Sequence, residues 1–302
     1  MNKTFPCSNI IFGAAGESWW FCDPSTGNFR GPEPDRSDCK SPWIEGIGDM
    51  LAQTNSTAGQ IADTLVDNLG KSQCGLFGGD LLEVIGLLDP LYLKQEQQVR
   101  TQEGGKFTEQ MYSIADSLLK CDLVWGEVQS DGIRYDASSQ ILQSIDKVGF
   151  LFLRQNNGTF NFSFKRLAVT LKNETTDKTS LSCFEFPSNG YGGHAVTYRN
   201  ESGIEDGVPS GKICIPNIAY NNTKQGLSVA SALQFNNSRE GLNGLIFPSF
   251  SNDRKTNLST IIGLSIDNKT HVDLPHGTPP VQITSYQLDN SWKQRKKFDF
   301  KH

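Results

Sequence analysis

The chain has 302 residues, of which 36% are hydrophobic and 20% are charged, and its formal net charge is -5 at pH 7. This composition is that of a globular protein with room for about two folded units, and it excludes a disordered or collagen-like chain. The small negative charge makes nucleic acid an unexpected partner, since the one basic cluster, KQRKK, is confined to residues 293–297.

Residues 1–43 are rich in Cys, Trp, Gly and Pro and hold few aliphatic side chains. Such a segment cannot bury a hydrophobic core of its own, so it depends on disulfides for its shape. We therefore predict a small disulfide-rich domain over these residues.

Residues 44–153 follow a helical period, in which apolar side chains recur every three or four residues. Thr57 and Gln60 form a capping-box pattern that predicts the start of a helix. The predicted apolar stripes are Ile61, Leu65 and Leu69; Leu81, Val84, Ile85 and Leu88; and Ile141, Ile145, Val148 and Phe152. We expect Pro90 to limit the second of these helices, because proline interrupts the backbone hydrogen-bond ladder. A further helix is predicted through residues 107–125.

After residue 153 the helical period is lost, and short alternating runs take its place. The runs FNFSFKRLAVTL, KICIPNIAY, LSVASALQF and STIIGLSI are separated by stretches rich in Asn, Gly, Pro and Ser. This pattern predicts a β-sandwich over residues 154–302. The fold class predicted for the whole chain is therefore α+β, with several domains.

The chain carries ten Asn-X-Ser/Thr sequons without a central proline, where chance placement would give roughly three. Eight of the ten lie in the predicted β region. The excess predicts N-glycosylation outside the cell. The acceptor residues are Asn2, Asn55, Asn157, Asn161, Asn173, Asn200, Asn221, Asn236, Asn257 and Asn268.

No apolar run approaches the roughly 20 residues that cross a bilayer, and residues 1–10 do not have the apolar stretch of a signal peptide. If the chain is glycosylated, we expect an export signal upstream and hence a longer protein. The seven cysteines include no close pair, which disfavours a zinc site and, together with the sequons, favours disulfides. Their odd number implies a free thiol, an intermolecular bond or a missing partner.

Catalytic patterns do not rise above background. The nearest approach to G-x-S-x-G is GLSID at residues 263–267, and the four histidines, His194, His271, His276 and His302, are scattered. His194 follows the glycine-rich run SNGYGG, but no nucleophile is tied to it by sequence, so we favour a solvated loop histidine. We predict no enzyme activity, no cofactor and no metal site.

The three segments, in this order, resemble the extracellular region of adhesion G-protein-coupled receptors. Cys7, the run WWFC that ends at Cys22 and the run SDCKSPW at residues 37–43 resemble the end of a hormone-receptor (HormR) domain. The helical and β-rich blocks resemble the two parts of a GAIN domain, the autoproteolysis-inducing module of that family. The runs SPWIEGIGDMLAQTNSTAGQIADTL, IPNIAYNNTKQGLSVASALQF and IIGLSIDNKTHVDLPHGTPPVQI are most similar to the latrophilins.

The resemblance implies a partial HormR domain at residues 1–43, a helical GAIN subdomain A at 44–153 and an incomplete GAIN subdomain B at 154–302. The four cysteines of a HormR domain form two crossed bridges, which implies a bridge from Cys7 to Cys39 and a partner for Cys22 upstream of Met1. For the other four, Cys74 with Cys121 and Cys183 with Cys214 are the simplest pairs, although four cysteines allow three connectivities.

A GAIN domain ends in a proteolysis motif with paired cysteines, tryptophans and a His-Leu-Ser/Thr tripeptide, whereas this sequence ends SWKQRKKFDFKH. We therefore expect no self-cleavage in this form. The resemblance implies a non-enzymatic, glycosylated spacer at the extracellular face of the plasma membrane, joined to a receptor membrane domain and open to extracellular protein ligands. The alternatives are a secreted soluble binding or decoy protein, and a secreted hydrolase that uses His194.

Overall fold

The computed structural model describes residues 3–29, 34–72, 74–98, 104–173, 181–187, 209–216, 227–234, 260–266, 282–287 and 296–300. It has an α+β structure that divides into two compact units. One unit comprises Met1–Ile145 with Asn236–Asn257, and the other comprises Asp146–Phe235 with Leu258–His302. None of the helices in the described ranges is both long enough and apolar enough to cross a bilayer.

The first unit opens with two short antiparallel strands, β1 (Lys3–Pro6) and β2 (Glu17–Trp20). A single 3-10 turn at Cys7–Asn9 follows β1, and two backbone bridges, Ala15 to Lys40 and Trp19 to Asp35, tie this hairpin to residues 34–40. The small core that results is centred on a disulfide, as expected for a segment with so few aliphatic side chains.

Six helices follow in the described residues: α1 (Pro42–Ala52), α2 (Ala58–Ser72), α3 (Gly78–Gln98), α4 (Gly104–Lys120), α5 (Asp122–Gly126) and α6 (Asp131–Leu153). α2 packs against α1, α3 and α4, and α3 also packs against α1 and α5. Every member of the three apolar stripes is at most 7% exposed, so the predicted core positions of these helices are confirmed.

The predicted capping box at the start of α2 is confirmed. The backbone N–H of Gln60 donates to Thr57 Oγ1 at 3.2 Å, and the N–H of Thr57 donates to Gln60 Oε1 at 2.9 Å. Two amides that a helix start leaves without helical partners are thereby satisfied by side chains.

The expectation that Pro90 limits its helix is wrong, because α3 continues through Pro90 to Gln98. Pro90 leaves the carbonyl of Gly86, four residues earlier, without its helical hydrogen bond. Gly86 is exposed, so water can satisfy that carbonyl, and the helix loses one bond without burying an unpaired group. Tertiary packing of Leu87, Leu88 and Leu91 around the proline supports the helix there.

The helix predicted over residues 107–125 is two helices, because Cys121 leaves the α region between α4 and α5. Its disulfide partner, Cys74, follows the end of α2 and has φ of 68°, in the left-handed region that few residues other than glycine adopt. The backbone therefore departs from the helix at both ends of this disulfide.

The second unit holds two four-stranded antiparallel sheets in the described residues. The strands are β3 (Gly158–Ser163), β4 (Leu167–Asn173), β5 (Leu181–Pro187), β6 (Pro209–Pro216), β7 (Leu227–Gln234), β8 (Thr260–Ile266), β9 (Gln282–Gln287) and β10 (Lys296–Phe300). One sheet has the order β3-β4-β7-β8 and the other has the order β10-β9-β6-β5. The four predicted runs all contain strands, but FNFSFKRLAVTL forms a hairpin of β3 and β4 rather than one strand.

The last two turns of α6 belong to this second unit and pack on the first sheet. The ring of Phe152 meets Phe160 and Phe162 of β3 edge-on, with centroids 4.8 and 6.0 Å apart. From β4, Lys172 Nζ lies 4.8 Å from the ring centroid of Phe184 on β5, a contact between the two sheets.

Candidate functional site

Among the described residues the structure has two disulfides, Cys7–Cys39 and Cys74–Cys121, both of which are among the pairs expected above. Cys22 is half-buried, and its Sγ lies 3.8 Å from the backbone oxygen of Asp23. The backbone register of β5 and β6 sets Cys183 opposite Cys214, while their side chains lie outside the described residues.

Four of the ten acceptor asparagines lie in the described residues. Asn55, Asn157 and Asn161 are exposed, whereas Asn173 is half-buried at the end of β4. The other six acceptors lie outside the described residues, namely Asn2, Asn200, Asn221, Asn236, Asn257 and Asn268.

His194 and the other three histidines also lie outside the described residues, so the hydrolase hypothesis has no geometry to test it. Among the residues that the structure does describe, no cluster of three or more His, Cys, Asp or Glu side chains could hold a metal ion.

A densely bonded polar feature of the described residues is the contact between residues 34–41 and the start of α3, which we call the junction. At its centre the carboxylate of Asp80 is completely buried. It accepts hydrogen bonds from the N–H of Ser41 at 2.6 Å, the hydroxyl of Ser41 at 2.6 Å and the N–H of Phe77 at 3.0 Å. A buried carboxylate with three donors is well satisfied, and at this position it also faces the positive end of the α3 dipole.

Glu127, from the turn after α5, closes the junction on its other side. Its Oε1 pairs with Arg36 Nη1 at 2.5 Å, and its Oε2 accepts the N–H of Gly78 at 3.0 Å. The backbone N–H of Arg36 also donates to the carbonyl of Glu127 at 2.9 Å. Glu127 therefore binds both the N-terminal segment, through Arg36, and the start of α3, through Gly78.

Gly78 and Gly79 allow this close approach, and a Cβ on Gly78 would lie 3.3 Å from the carbonyl oxygen of Arg36. A Cβ on Gly79 would lie 2.2 Å from the carbonyl oxygen of Cys39 and 2.9 Å from that of Ser37, both of which are backbone atoms. The N–H of Gly79 instead donates to the carbonyl of Arg36 at 2.9 Å. Only glycine fits between α3 and the segment that carries Cys39.

A second polar feature lies in the other unit, where the half-buried Asp146 of α6 accepts a hydrogen bond from the hydroxyl of Ser265 on β8. Burial raises the pKa of Asp146 from 3.8 to about 6, and the bond from Ser265 offsets part of that rise. This carboxyl therefore titrates in a range where exposed carboxyls are fully ionised.

Sequence reasoning missed the junction, because its partners, apart from Phe77 and Asp80, are separated by 39 to 91 residues along the chain and have no common period. One local signal was present. The run Gly78-Gly79-Asp80 places two poor helix formers and a carboxylate at the first turn of a strongly apolar helix. Such residues at this position indicate a tertiary contact.

No protein-family model matches the chain.

Proposed function

We propose that the chain is an extracellular, non-enzymatic part of a latrophilin-like adhesion G-protein-coupled receptor, where it serves as a glycosylated spacer between adhesion outside the cell and the membrane domain. Its parts would be a partial HormR domain at residues 1–43, GAIN subdomain A at 44–153 and a β-sandwich GAIN subdomain B at 154–302. The order of a disulfide-centred segment, six helices and two antiparallel sheets in the described residues supports this proposal.

The junction carries the spacer part of the proposal. A spacer transmits tension only if its parts do not separate before the rest of the chain is stretched. At the junction the bonds of Asp80 and Glu127, together with the close approach of Gly79, must be lost at nearly the same time. Such a contact breaks cooperatively, whereas a flexible linker extends at low force.

The receptor class is tested by sequencing full-length transcripts of the gene. We expect the reading frame to continue into a proteolysis motif and seven apolar membrane spans. Transcripts that consistently lack any membrane span would rule out the receptor.

The compartment is tested by the mass of the protein recovered from animal cells under its own targeting signals, before and after glycosidase treatment. We expect a loss of mass that corresponds to several glycans. An unchanged mass would contradict an extracellular location.

The spacer role is tested by single-molecule stretching of the chain. We expect the N-terminal segment and the helices of the first unit to yield in one event in the wild type. Asp80→Asn replaces one carboxylate oxygen by an NH₂ group, which cannot accept the hydrogen bonds that Ser41 and Phe77 donate to Asp80. We expect this variant to show an additional unfolding event at lower force. Asp67→Asn, on the exposed side of α2, is the matched control and should leave the trace unchanged. An early separate event already in the wild type would contradict the proposed role.

A second candidate, a soluble binding or decoy protein, is favoured by the apolar side chains that the N-terminal segment exposes. Phe12 is 98% exposed, and Phe5, Ile10, Trp19 and Phe29 are exposed as well. Exposed aromatic side chains such as these are enriched at protein contact surfaces. A message that encodes a secreted chain with no membrane span would favour this candidate over the receptor.

A further inference from the structure

Asn173 sits where strand β4 ends beside the end of α6, and its side-chain amide points at that helix terminus. Its Nδ2 lies 3.0 Å from the carbonyl oxygen of Leu153 and 3.2 Å from that of Asn156. The third contact is with Asn157 Oδ1, at 2.9 Å. All three neighbours are acceptors, so Nδ2 of Asn173 is the donor in each of these contacts.

These bonds complete the C-terminal cap of α6. The last carbonyls of a helix have no helical partner and require other donors. The carbonyl of Phe152 receives the N–H groups of Gln155 and Asn156 as well as Asn156 Nδ2. The carbonyl of Leu153, the last helical residue, receives Nδ2 of Asn173. One side chain thus joins the end of α6 to the sheet it packs on.

Asn173 is also the acceptor of a sequon, Asn173-Glu174-Thr175. An N-linked glycan is attached to Nδ2, where it replaces one of the two hydrogens. At contact distances of 2.9 to 3.2 Å to three oxygens, this nitrogen has no room for a sugar on the side that faces the helix. A chain modified here would keep only one N–H on Nδ2, and the sugar would displace this amide from the end of α6.

We propose that Asn173 is an unmodified structural cap in the native protein, and that the N-linked glycans of the described residues are confined to the three exposed acceptors. The inference rests on the proposed extracellular location for the presence of glycans. Asn55 lies in the turn between α1 and α2. Asn161 alternates with Phe160 and Phe162 along β3, so it points away from the face that packs on α6. Asn157 contributes its Oδ1, and not its Nδ2, to the described contact.

Site occupancy is the first test. The protein is recovered from animal cells under its own targeting signals, treated with a glycosidase that converts each glycosylated Asn to Asp in heavy-oxygen water, and mapped by peptide mass spectrometry. We expect label at exposed acceptors and none at Asn173. Thr175→Ala, which destroys this sequon and keeps Asn173, should leave the mass of the glycans unchanged. Label at Asn173, or the loss of one glycan in Thr175→Ala, would overturn the proposal.

Stability is the second test, and it uses chain made in the bacterial periplasm, where disulfides form without glycosylation. Asn173→Ala removes the cap and should lower the midpoint of thermal unfolding by roughly 2 to 6 °C, whereas Thr175→Ala should not change it. If Asn173→Ala does not fold, faster amide exchange at the end of α6 in Asn173→Ser gives the same answer. Equal midpoints for the wild type and Asn173→Ala would contradict the cap.

The two tests separate this inference from the proposed function. Absence of label at every acceptor in protein recovered under its own targeting signals would contradict the extracellular location, while the periplasmic measurement would still decide the cap. Label at Asn173 together with label at Asn55 or Asn161 would leave the location supported and overturn the cap alone.

Discussion

Gly79 is the single residue on which the junction depends most closely. In Gly79→Ala the new methyl group meets two backbone oxygens that cannot rotate away, so we expect the free energy of unfolding to fall by about 2 to 4 kcal/mol. Gly86→Ala is the matched control, because it lies in the same helix with nothing within 4 Å of its Cβ. It should raise stability by up to about 1 kcal/mol through helix propensity alone. Urea unfolding measures the free energy of unfolding of both variants. Equal changes in Gly79→Ala and Gly86→Ala would contradict the close approach at Gly79.

Asp146 should make the second unit less stable as the pH rises. Its pKa of about 6 in the folded protein exceeds the ordinary 3.8, so the folded state holds this proton more tightly than the unfolded state does. Its contribution to stability is therefore greatest below about pH 4, declines as the pH rises through 6, and stays low above that. The rise in pKa corresponds to about 1 to 3 kcal/mol.

In Asp146→Asn the side chain is neutral at every pH, so the variant should be more stable than the wild type at pH 7.5 and nearly equal to it at pH 4. Denaturant unfolding at pH 4, 6 and 7.5 measures this difference. Asp136→Gln, on an exposed position of the same helix, serves as control and should show no such trend, whereas Asn at this position would create a new sequon with Ala137 and Ser138. A difference that does not grow with pH would refute the assignment to Asp146.

At the scale of the element, α3 continues through Pro90 at the expense of one hydrogen bond. Pro90→Ala restores a donor to the carbonyl of Gly86 and should raise the free energy of unfolding by about 1 to 3 kcal/mol. Thermal unfolding measures the gain. A loss of stability would show that the helix is bent around the proline and packs only in that form.

The disulfide Cys7–Cys39 closes a sequence separation of 32 residues around a small core. The double variant Cys7→Ser/Cys39→Ser should cost about 3 to 4 kcal/mol, chiefly because the unfolded chain regains freedom. Chemical unfolding of the first unit measures this loss of stability. Cys22→Ser leaves the disulfides Cys7–Cys39 and Cys74–Cys121 in place and serves as the reference. If Cys22→Ser lowered the free energy of unfolding as much as the double variant does, the stabilising role of the Cys7–Cys39 disulfide would be contradicted.

The helices were predictable from sequence because each buries a stripe whose period is local, as with Ile61, Leu65 and Leu69. The proline was misjudged because its effect depends on whether the carbonyl it exposes can reach water, which is a tertiary fact. The junction was not predictable for a similar reason. Asp80 and Glu127 bind residues that are distant in the sequence and come together only in the folded chain. A polar residue in an apolar helix indicates that it has a hydrogen-bond partner, but it does not indicate which residue that partner is.

At the scale of the whole molecule, the division into two compact units predicts two unfolding transitions in a calorimetric scan. Gly79→Ala should lower the midpoint of one transition by roughly 5 to 10 °C and leave the other in place. Asp146→Asn at pH 7.5 should raise the other midpoint alone. A single transition that moves with both substitutions would contradict the division.

Thr57 takes part in two patterns at once, and this complicates any glycan-removal experiment at Asn55. Its hydroxyl completes the acceptor triplet Asn55-Ser56-Thr57 and also receives the amide hydrogen of Gln60. Thr57→Ala therefore deletes a sugar attachment point and frays a helix in the same step, and its phenotype cannot be credited to the carbohydrate. Asn55→Gln deletes the attachment point alone, and Thr57→Ser preserves both roles.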